Sequence, residues 1–158
     1  MDIRTAIISI SDTRTLENDR SGDKLAELAA AMGMIVAERA MATDDLQPLS
    51  ELIAGLCDRG GVDLILTTGG TGLGTRDNTP EATLAVVERE VPGLSEAMRR
   101  ETALKTPFAM ISRGVCGVRG STLIINLPGS TKAVEECLQV IAPVLSHAVS
   151  LIRGESVH

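Results

Sequence analysis

The segment VDLILTTGGTGLGTRDNTPEAT, residues 62–83, is the most informative stretch of the chain for its architecture. It opens with an apolar run, residues 62–67, which predicts a short strand buried on both faces of a sheet. A glycine-rich loop follows directly, and Thr79-Pro80-Glu81 then predict the N-cap, the first-turn proline and a favourable first-turn acid of a helix. A buried strand that leads through a loop into a helix is typical of proteins with a parallel β-sheet.

The same alternation of strand and helix precedes this segment. Short apolar runs predict strands at residues 3–10 and 34–41. A helical pattern follows each strand, and the two patterns end at Gly33 and at Gly60-Gly61, where a helix C-cap is expected. The first part of the chain therefore predicts two strand–helix units before the strand of the opening segment.

The alternation continues after the segment. A helix is predicted over residues 93–105, the run PFAMIS at 107–112 predicts a further strand, and STLIINL at 121–127 predicts another. The last helical stretch is expected to be interrupted at Pro143 and to stop near Gly154. These elements predict one domain, residues 1–158, built as a three-layer α/β/α sandwich with a mostly parallel sheet.

Composition excludes several classes of function. The net charge of -6 gives no basic face for nucleic acid, and a chain without Trp or Tyr, with Phe108 as its one aromatic residue, lacks stacking platforms. The first residues lack the pattern of a secretory signal, and no stretch is predicted to be long and apolar enough to span a bilayer. We therefore expect a cytoplasmic protein that binds neither nucleic acid nor membrane. The widely spaced Cys57, Cys116 and Cys137 are expected to be buried free thiols.

Polar loops follow four of the predicted strands. In an open parallel sheet these loops meet at one edge, beyond the carboxyl ends of the strands, where ligands bind. We therefore predict a ligand site built from these loops. They are Ser11-Asp12 after the first strand, Thr43-Asp44 after the second, residues 68–77 after the third, and Pro128-Gly129-Ser130 after the last.

The glycine-rich loop is the strongest signal for a bound anion, because glycines let backbone N–H groups approach a ligand closely. An isolated glycine pair would more often serve a turn with positive φ, but four glycines lie within the six residues 69–74. The loop is not a P-loop, since Thr75-Arg76 stand where Lys and Ser/Thr are required. The predicted anion-binding residues are Thr68, Gly69, Gly70, Thr71 and Gly72.

Asp77 follows these glycines, and a carboxylate beside a bound anion is repulsive unless a cation lies between them. Mg²⁺ is the expected cation, because it takes one or two carboxylates together with substrate phosphates and waters. Asp44 is the second predicted carboxylate. On spacing alone it is equally well explained as a helix N-cap, with Gln47 three residues later.

The remaining candidates have ordinary structural explanations. Asp12 and Asp19 lie in a loop where aspartates commonly stabilise turns. Pro128-Gly129-Ser130 could offer N–H groups and a hydroxyl to an anion, or could simply cap the last helix. Ser112 is an unremarkable loop serine by its spacing.

Eight segments, taken in order along nearly the whole chain, resemble one known family. The match of GGTG followed by RDNTPEA is the most specific of them. The chain resembles the MogA/MoaB molybdopterin-binding family, which includes gephyrin-type G domains. The segments are SISDTRT, NDRSG, LTTGGTG, RDNTPEAT, EREVPGL, KTPFAMISR, RGSTLIINLPGS and KAVEECL.

The resemblance implies an α/β/α fold, a homotrimer, and the adenylation of molybdopterin by ATP with release of pyrophosphate. It implies Mg²⁺ as the cofactor and a molybdenum-insertion protein as a partner for the product. Asp44 and Asp77 resemble the two essential acids, which would contact the metal and the reacting phosphates, so the resemblance favours a functional Asp44 over a cap. Further implied site residues are Asp19, Ser112, residues 68–72 and residues 128–130.

The sequence leaves two other functions open. Its segments mix features of the MoaB side and the MogA side of the family, and a MoaB-like protein could bind the pterin without adenylating it. A scaffold that keeps the fold for assembly alone is the second alternative. We favour an enzyme, because a scaffold has no physical need for Asp44 and Asp77 beside a glycine-rich loop.

Overall fold

A computed structural model describes residues 2–155 of the chain. Residue 1 and residues 156–158, the two ends of the predicted domain, lie outside this part. The described residues form eleven helices and strands, which alternate up to β5 and β6, and two short 3₁₀ helices at Leu16–Asn18 and Pro107–Ile111. The elements are β1 (Arg4–Ile10), α1 (Arg20–Ala31), β2 (Ile35–Ala42), α2 (Leu46–Asp58), β3 (Leu64–Thr68), α3 (Thr79–Leu84), β4 (Arg89–Glu90), α4 (Pro92–Ala103), β5 (Cys116–Arg119), β6 (Thr122–Leu127) and α5 (Thr131–Ile152).

The strands form one six-stranded sheet in the order β2-β1-β3-β6-β5-β4. The first four strands in this order are parallel, whereas β5 near one edge pairs antiparallel with both of its neighbours, β6 and β4. Thr68 pairs with both Ser9 and Leu127, so β1, β3 and β6 end side by side. The mostly parallel sheet predicted from the sequence is confirmed, and its strand ends align at one edge.

Alternate residues of the central strands supply two separate cores, because successive side chains of a strand point to opposite faces. Ile7 and Leu66 face the layer of α1, α4 and α5. Ile8 and Ile65 face α2 and α3 on the other side. The predicted three-layer α/β/α architecture is therefore confirmed, and the three cysteines are free and buried as expected.

Helix α5 differs from its prediction, because it runs unbroken through Pro143. Proline removes one backbone hydrogen bond, but Leu138, Ile141 and Leu145 anchor the helix in the core on both sides of it. Within residues 2–155, α5 is also the one helix long and apolar enough to cross a membrane, contrary to the expectation that no stretch has this length. Its buried side chains pack against the sheet, as in the core helix of a folded domain.

The strand predicted at residues 107–112 is wrong. Residues Pro107–Ile111 form a 3₁₀ helix, in which the Thr106 hydroxyl accepts a hydrogen bond from the backbone N–H of Phe108. Phe108 and Met110 are 76% and 68% exposed, so this apolar run is not buried in the sheet. The short strands β4 and β5 were not predicted, because they lack the long apolar pattern of the parallel strands.

The Asn126 side chain joins three elements, β6, β3 and α3, and the residue before β5 inside the core. Its amide donates to the hydroxyls of Thr67 and Thr83 at 3.0 and 2.9 Å, and its carbonyl accepts from the Val115 N–H at 3.2 Å. We expect Asn126→Leu, which has the same branching and number of heavy atoms, to lower the free energy of unfolding by about 3 kcal/mol, because it leaves buried polar groups unpaired. Urea denaturation would measure the change, and a loss below about 1 kcal/mol would contradict this role.

Candidate active site

The four predicted loops meet at the carboxyl edge of the sheet. The backbone N–H of Asp44 donates to Asp12 at 3.1 Å, which joins the loops after β2 and β1. The Thr68 hydroxyl donates to the carbonyl of Pro128 at 2.7 Å, and the Gly69 N–H donates to that of Leu127 at 3.2 Å. The loops after β3 and β6 are therefore joined as well, and the predicted site residues share one wall of the molecule.

Glycines are required in the loop after β3 for two different reasons. Gly69 and Gly70 have φ values of 99° and 67°, in the region that other residues avoid. A Cβ on Gly70 would lie 2.5 Å from Asp44 Oδ2, and one on Gly72 or Gly74 would lie 2.8 or 2.9 Å from Asp77 Oδ2. The loop thus needs glycine both for its backbone conformation and to admit the two carboxylates.

Asp44 is a buried carboxylate and not a helix cap. Helix α2 is preceded by Asp45, which makes no capping bond, so the alternative explanation of Asp44 with Gln47 is wrong. Asp44 Oδ1 instead accepts from the backbone N–H of Asn78 at 2.9 Å. Within residues 2–155, no hydrogen bond reaches Oδ2. Burial raises the pKa of Asp44, and the nearby charge of Asp77 raises it as well.

Thr79 lies against the same carboxylate. It was predicted as the N-cap of α3, but Asn78 holds that position and Thr79 is already helical. The Thr79 hydroxyl is fully buried and has no hydrogen-bond partner among the described residues. A Cβ on Gly70 would lie 2.2 Å from this hydroxyl, so Gly70 leaves space beside both Thr79 and Asp44.

Asp77 sits in a small loop of its own. Its Oδ2 accepts from the Gly74 N–H at 2.8 Å. Arg113, which was not predicted from the sequence, donates to the carbonyls of Gly72 and Asp77, each at 2.7 Å. Arg113 is far from the glycine loop in sequence, and although it ends the segment KTPFAMISR that contributes to the resemblance, nothing in that segment indicates the contact.

Asp12 lies at the site wall but is engaged by an arginine. Its two carboxylate oxygens accept from Arg76 at 2.7 and 3.1 Å, and Arg76 also donates to Asp45 at 3.2 Å. The hydrogen bond from Arg76 lowers the pKa of Asp12 to about 2. This ion pair links the loop after β1 to the far end of the glycine-rich loop.

A polar cavity of about 410 Å³ opens between β1, the start of α1 and the loops after β3 and β6; we call it the β1-side cavity. It contains several predicted site residues but neither Asp44 nor Asp77. Its walls combine hydroxyl groups, backbone, one arginine, Arg14, and the buried Asp19 carboxylate, which suits a polar ligand. The lining residues are Ser9, Ile10, Ser11, Thr13, Arg14, Asp19, Ser21, Thr68, Gly69, Gly129 and Ser130.

Asp19 anchors the floor of the β1-side cavity. It is 1% exposed, and it accepts hydrogen bonds from the Ser9 hydroxyl, from Arg39 at 3.1 Å and from the Gly22 N–H at 3.0 Å. The last bond makes Asp19 the N-cap of α1. Asp19 therefore caps a helix instead of stabilising a turn as expected, and it lies at a cavity that other predicted site residues also line.

A second cavity of about 300 Å³ lies on the other side of residues 128–130, between α4, α5 and the 3₁₀ helix Pro107–Ile111; we call it the α4-side cavity. Its walls are mainly apolar and include Met98, Phe108 and Cys137. Ser112 lines it, together with Arg99, which no sequence pattern indicated. Ser130 borders both cavities, and its hydroxyl also caps α5 by accepting from the Ala133 N–H at 3.2 Å.

The acidic pair Asp44 and Asp77 lies beside the glycine loop and lines neither cavity. In the described part of the chain, no group of three or more His, Cys, Asp or Glu side chains could hold a metal by itself. Mg²⁺ needs fewer protein ligands than this, because phosphates and waters complete its coordination. Two carboxylates, one with an oxygen free of hydrogen bonds, are a donor set that fits this ion.

Residues 6–147 match the model of a family described as a probable molybdopterin binding domain. The chain belongs to this molybdopterin-binding family. Solved structures of the MogA/MoaB family also share the fold of this domain. The molybdopterin biosynthesis enzyme MoaB of Thermus thermophilus is 45% identical, with a TM-score of 0.89 over 97% of this chain and 98% of that chain. The molybdopterin biosynthesis Mog protein of Mycobacterium ulcerans is 39% identical, with a TM-score of 0.88 over 95% and 99%.

Two curated relatives differ in how much of their length this molybdopterin-binding domain spans. The molybdopterin adenylyltransferase of Helicobacter pylori strain J99 is 35% identical over 156 residues, which cover 96% of this chain and 89% of that protein. The molybdenum cofactor synthesis protein cinnamon of Drosophila melanogaster is 42% identical over 95% of this chain, which spans only 26% of that protein. The resemblance to the MogA/MoaB family predicted from the sequence is confirmed.

Proposed function

We propose that this domain acts in molybdenum cofactor biosynthesis by transferring AMP from ATP to the terminal phosphate of molybdopterin. The observation that carries the proposal is the pair Asp44 and Asp77, which flanks a glycine-rich loop at the aligned strand ends. The name of the Helicobacter pylori relative, molybdopterin adenylyltransferase, supports the same reaction.

The reaction joins two anions, so the main tasks of the protein are to position them and to offset their charge. An oxygen of the pterin phosphate forms a bond to the α-phosphorus of ATP. The bond from that phosphorus to the oxygen bridging to the β-phosphate breaks, and pyrophosphate leaves with this oxygen. No covalent intermediate on the protein is needed.

The two cavities offer separate places for the two substrates. The mainly apolar α4-side cavity, with Ser112, Arg99 and Glu136 among its polar groups, suits the flat pterin ring. The polar β1-side cavity suits the nucleotide. Residues 128–130 separate the cavities and lead into α5, whose N-terminal N–H groups favour a phosphate.

Asp44 and Asp77 would hold Mg²⁺ at the glycine loop. When bound, this ion supplies positive charge that neutralises the phosphates during transfer. The chain's own part is to present the Asp44 carboxylate, fixed by Asn78, and the Asp77 carboxylate, fixed by Gly74, beside the glycines of the loop. Gly70, Thr71 and Gly72 would contribute backbone N–H groups to the phosphates, while the Gly69 N–H is already bonded to the carbonyl of Leu127.

Three further properties belong to this proposal and rest on the family resemblance and the sequence. We propose that the protein is cytoplasmic, that it forms a homotrimer, and that its product passes to a molybdenum-insertion protein. Gel filtration with light scattering would test the trimer directly.

Purified protein incubated with molybdopterin, ATP and Mg²⁺ tests the proposed reaction, with pyrophosphate release as the readout. Release that requires the pterin supports the enzyme. Binding of molybdopterin without release would instead identify a carrier, and absence of both binding and release would identify a scaffold.

The pKa of Asp44 leads to a stability prediction. Because the folded-state pKa is raised, the folded protein favours the protonated form, and this contribution to stability is lost as the pH rises through the folded pKa. We expect Asp44→Asn to unfold at a higher temperature than wild type at pH 7, with a gain that shrinks as the pH approaches about 4, the ordinary range of aspartate.

Thermal unfolding monitored by circular dichroism from pH 4 to pH 8 would measure this gain. Asparagine can still accept from the Asn78 N–H, and its amide could donate to the unpartnered Thr79 hydroxyl. An unfolding temperature for Asp44→Asn at pH 7 that is equal to or lower than that of wild type would contradict the claim that the buried Asp44 charge destabilises the folded protein.

A further inference from the structure

Arg113 is the side chain that closes the glycine-rich loop. Its Nε donates to the carbonyl of Gly72 at 2.7 Å, and its Nη2 donates to that of Asp77 at 2.7 Å. Its own backbone N–H donates to the carbonyl of Thr71 at 2.8 Å. One residue therefore fixes both ends of the segment 72–77, and Asp77 is one of those ends.

The guanidinium is itself held in place. It forms an ion pair with Glu81 in the first turn of α3, and this hydrogen bond lowers the pKa of Glu81 and raises that of Arg113. The nearby charges of Asp77 and Asp44 also raise the pKa of Arg113, so its positive charge faces the acidic pair. The geometry thus combines a fixed anchor on α3 with two directed contacts to the loop.

The same backbone segment also borders the α4-side cavity. Ser112, the residue before Arg113, lines that cavity, and Arg99 on α4 donates to the carbonyls of Ser112 and Gly114 at 3.3 and 2.8 Å. Residues 112–114 therefore connect the wall of one cavity to the loop that carries Asp77.

The geometry points to Arg113 as a positioning residue that sets the place of the Asp77 carboxylate. The catalytic part of this inference rests on the proposed function. Arg113 does not act on the substrate; it acts through the carbonyls of Gly72 and Asp77. Because a planar guanidinium can serve two carbonyls and Glu81 at once, lysine cannot replace it.

Arg113→Lys tests the inference, and Arg119→Lys is the matched control. Arg119 also makes a two-pronged contact, to Asp58 with both bonds at 2.9 Å, and donates to a backbone carbonyl, that of Val86, at 2.9 Å. The side chains of Arg113 and Arg119 have similar exposure, 33% and 28%. Arg119 lies away from the glycine loop, so its variant reports the general effect of losing such an arginine.

The first readout is amide hydrogen exchange of residues 71–79 in the protein without substrates. We expect Arg113→Lys to exchange in this segment about tenfold faster than wild type, because charge-assisted contacts at both ends are lost. Arg119→Lys should exchange there as wild type does. Equal exchange in the two variants would overturn the inference, whether or not the protein adenylates molybdopterin.

The second readout is the kinetics of adenylation. Arg113→Lys is expected to lower kcat by about 100-fold, as a misplaced catalytic group does, with little change in the KM for molybdopterin. A wild-type kcat, or an equal fall in Arg119→Lys, would overturn the positioning role. A wild-type protein that does not adenylate at all would refute the proposed function instead, and the exchange experiment would still decide whether Arg113 holds the loop.

Glu81→Gln gives a second variant in case Arg113→Lys does not fold. It keeps Arg113 and a side chain of the same shape but removes the charge that anchors the guanidinium. We expect exchange in residues 71–79 to lie between those of wild type and Arg113→Lys. If amide exchange of residues 71–79 in Glu81→Gln is identical to that of wild type, the Glu81 ion pair does not hold Arg113 in place.

Discussion

Asp77→Asn is expected to abolish adenylation while leaving molybdopterin binding largely intact. The amide has nearly the shape of the carboxylate, and its oxygen can still accept from the Gly74 N–H, so the loop should keep its fold. The variant lacks the negative charge that would hold Mg²⁺ beside the reacting phosphates. We expect a fall in kcat of about 1000-fold or more, the size seen when a key electrostatic group is removed.

Pterin-dependent pyrophosphate release would measure the fall, and calorimetric titration with molybdopterin would measure binding. Asp58→Asn is the control, because it removes a carboxylate, the partner of Arg119, at a surface distant from the glycine loop. Full turnover by Asp77→Asn would refute the role of Asp77 at the metal.

Gly70→Ala is also expected to impair adenylation strongly. The residue has a φ of 67°, which costs a residue with a side chain about 1–2 kcal/mol. The added Cβ would also lie 2.2 Å from the Thr79 hydroxyl and 2.5 Å from Asp44 Oδ2, so at least one of them must move. We expect a loss of about 100-fold in kcat, because Asp44 is displaced from its working position.

Gly60→Ala is the control variant. It carries the energetic cost of a side chain at positive φ but displaces no neighbouring residue. Gly60 has a similar φ of 77°, but a Cβ there would meet no atom within 4 Å. It should lower the unfolding temperature slightly and leave adenylation unchanged. Gly70→Ala activity equal to that of Gly60→Ala would show that the space beside Asp44 is not needed.

The central architecture could be predicted from the sequence because it depends on local patterns. The continuous apolar runs of β1, β3 and β6 predict parallel strands, and their polar ends predict one ligand-binding edge. The same reasoning failed where tertiary contacts determine the secondary structure. The apolar residues of PFAMIS do not form a strand, and Pro143 does not interrupt a helix that the core holds on both sides.

The site was predictable in part for the same reason. The glycine-rich loop and Asp77 are close in sequence, so their proximity follows from spacing. The capping alternative for Asp44 was wrong because Asp45 precedes α2 and because Asp44 accepts from Asn78, which is 34 residues away. Arg113 lies 36 residues from Asp77, and nothing local marks its contact with the glycine loop.

Transfer of AMP to molybdopterin at the glycine-rich loop is tested most directly with ATP labelled at its α-phosphate. Purified wild-type protein is incubated with molybdopterin and the labelled ATP, with Mg²⁺ or with a chelator. We expect the label to move to the pterin only when Mg²⁺ is present. Molybdopterin that binds with measurable affinity but never acquires the label would contradict the proposed transfer.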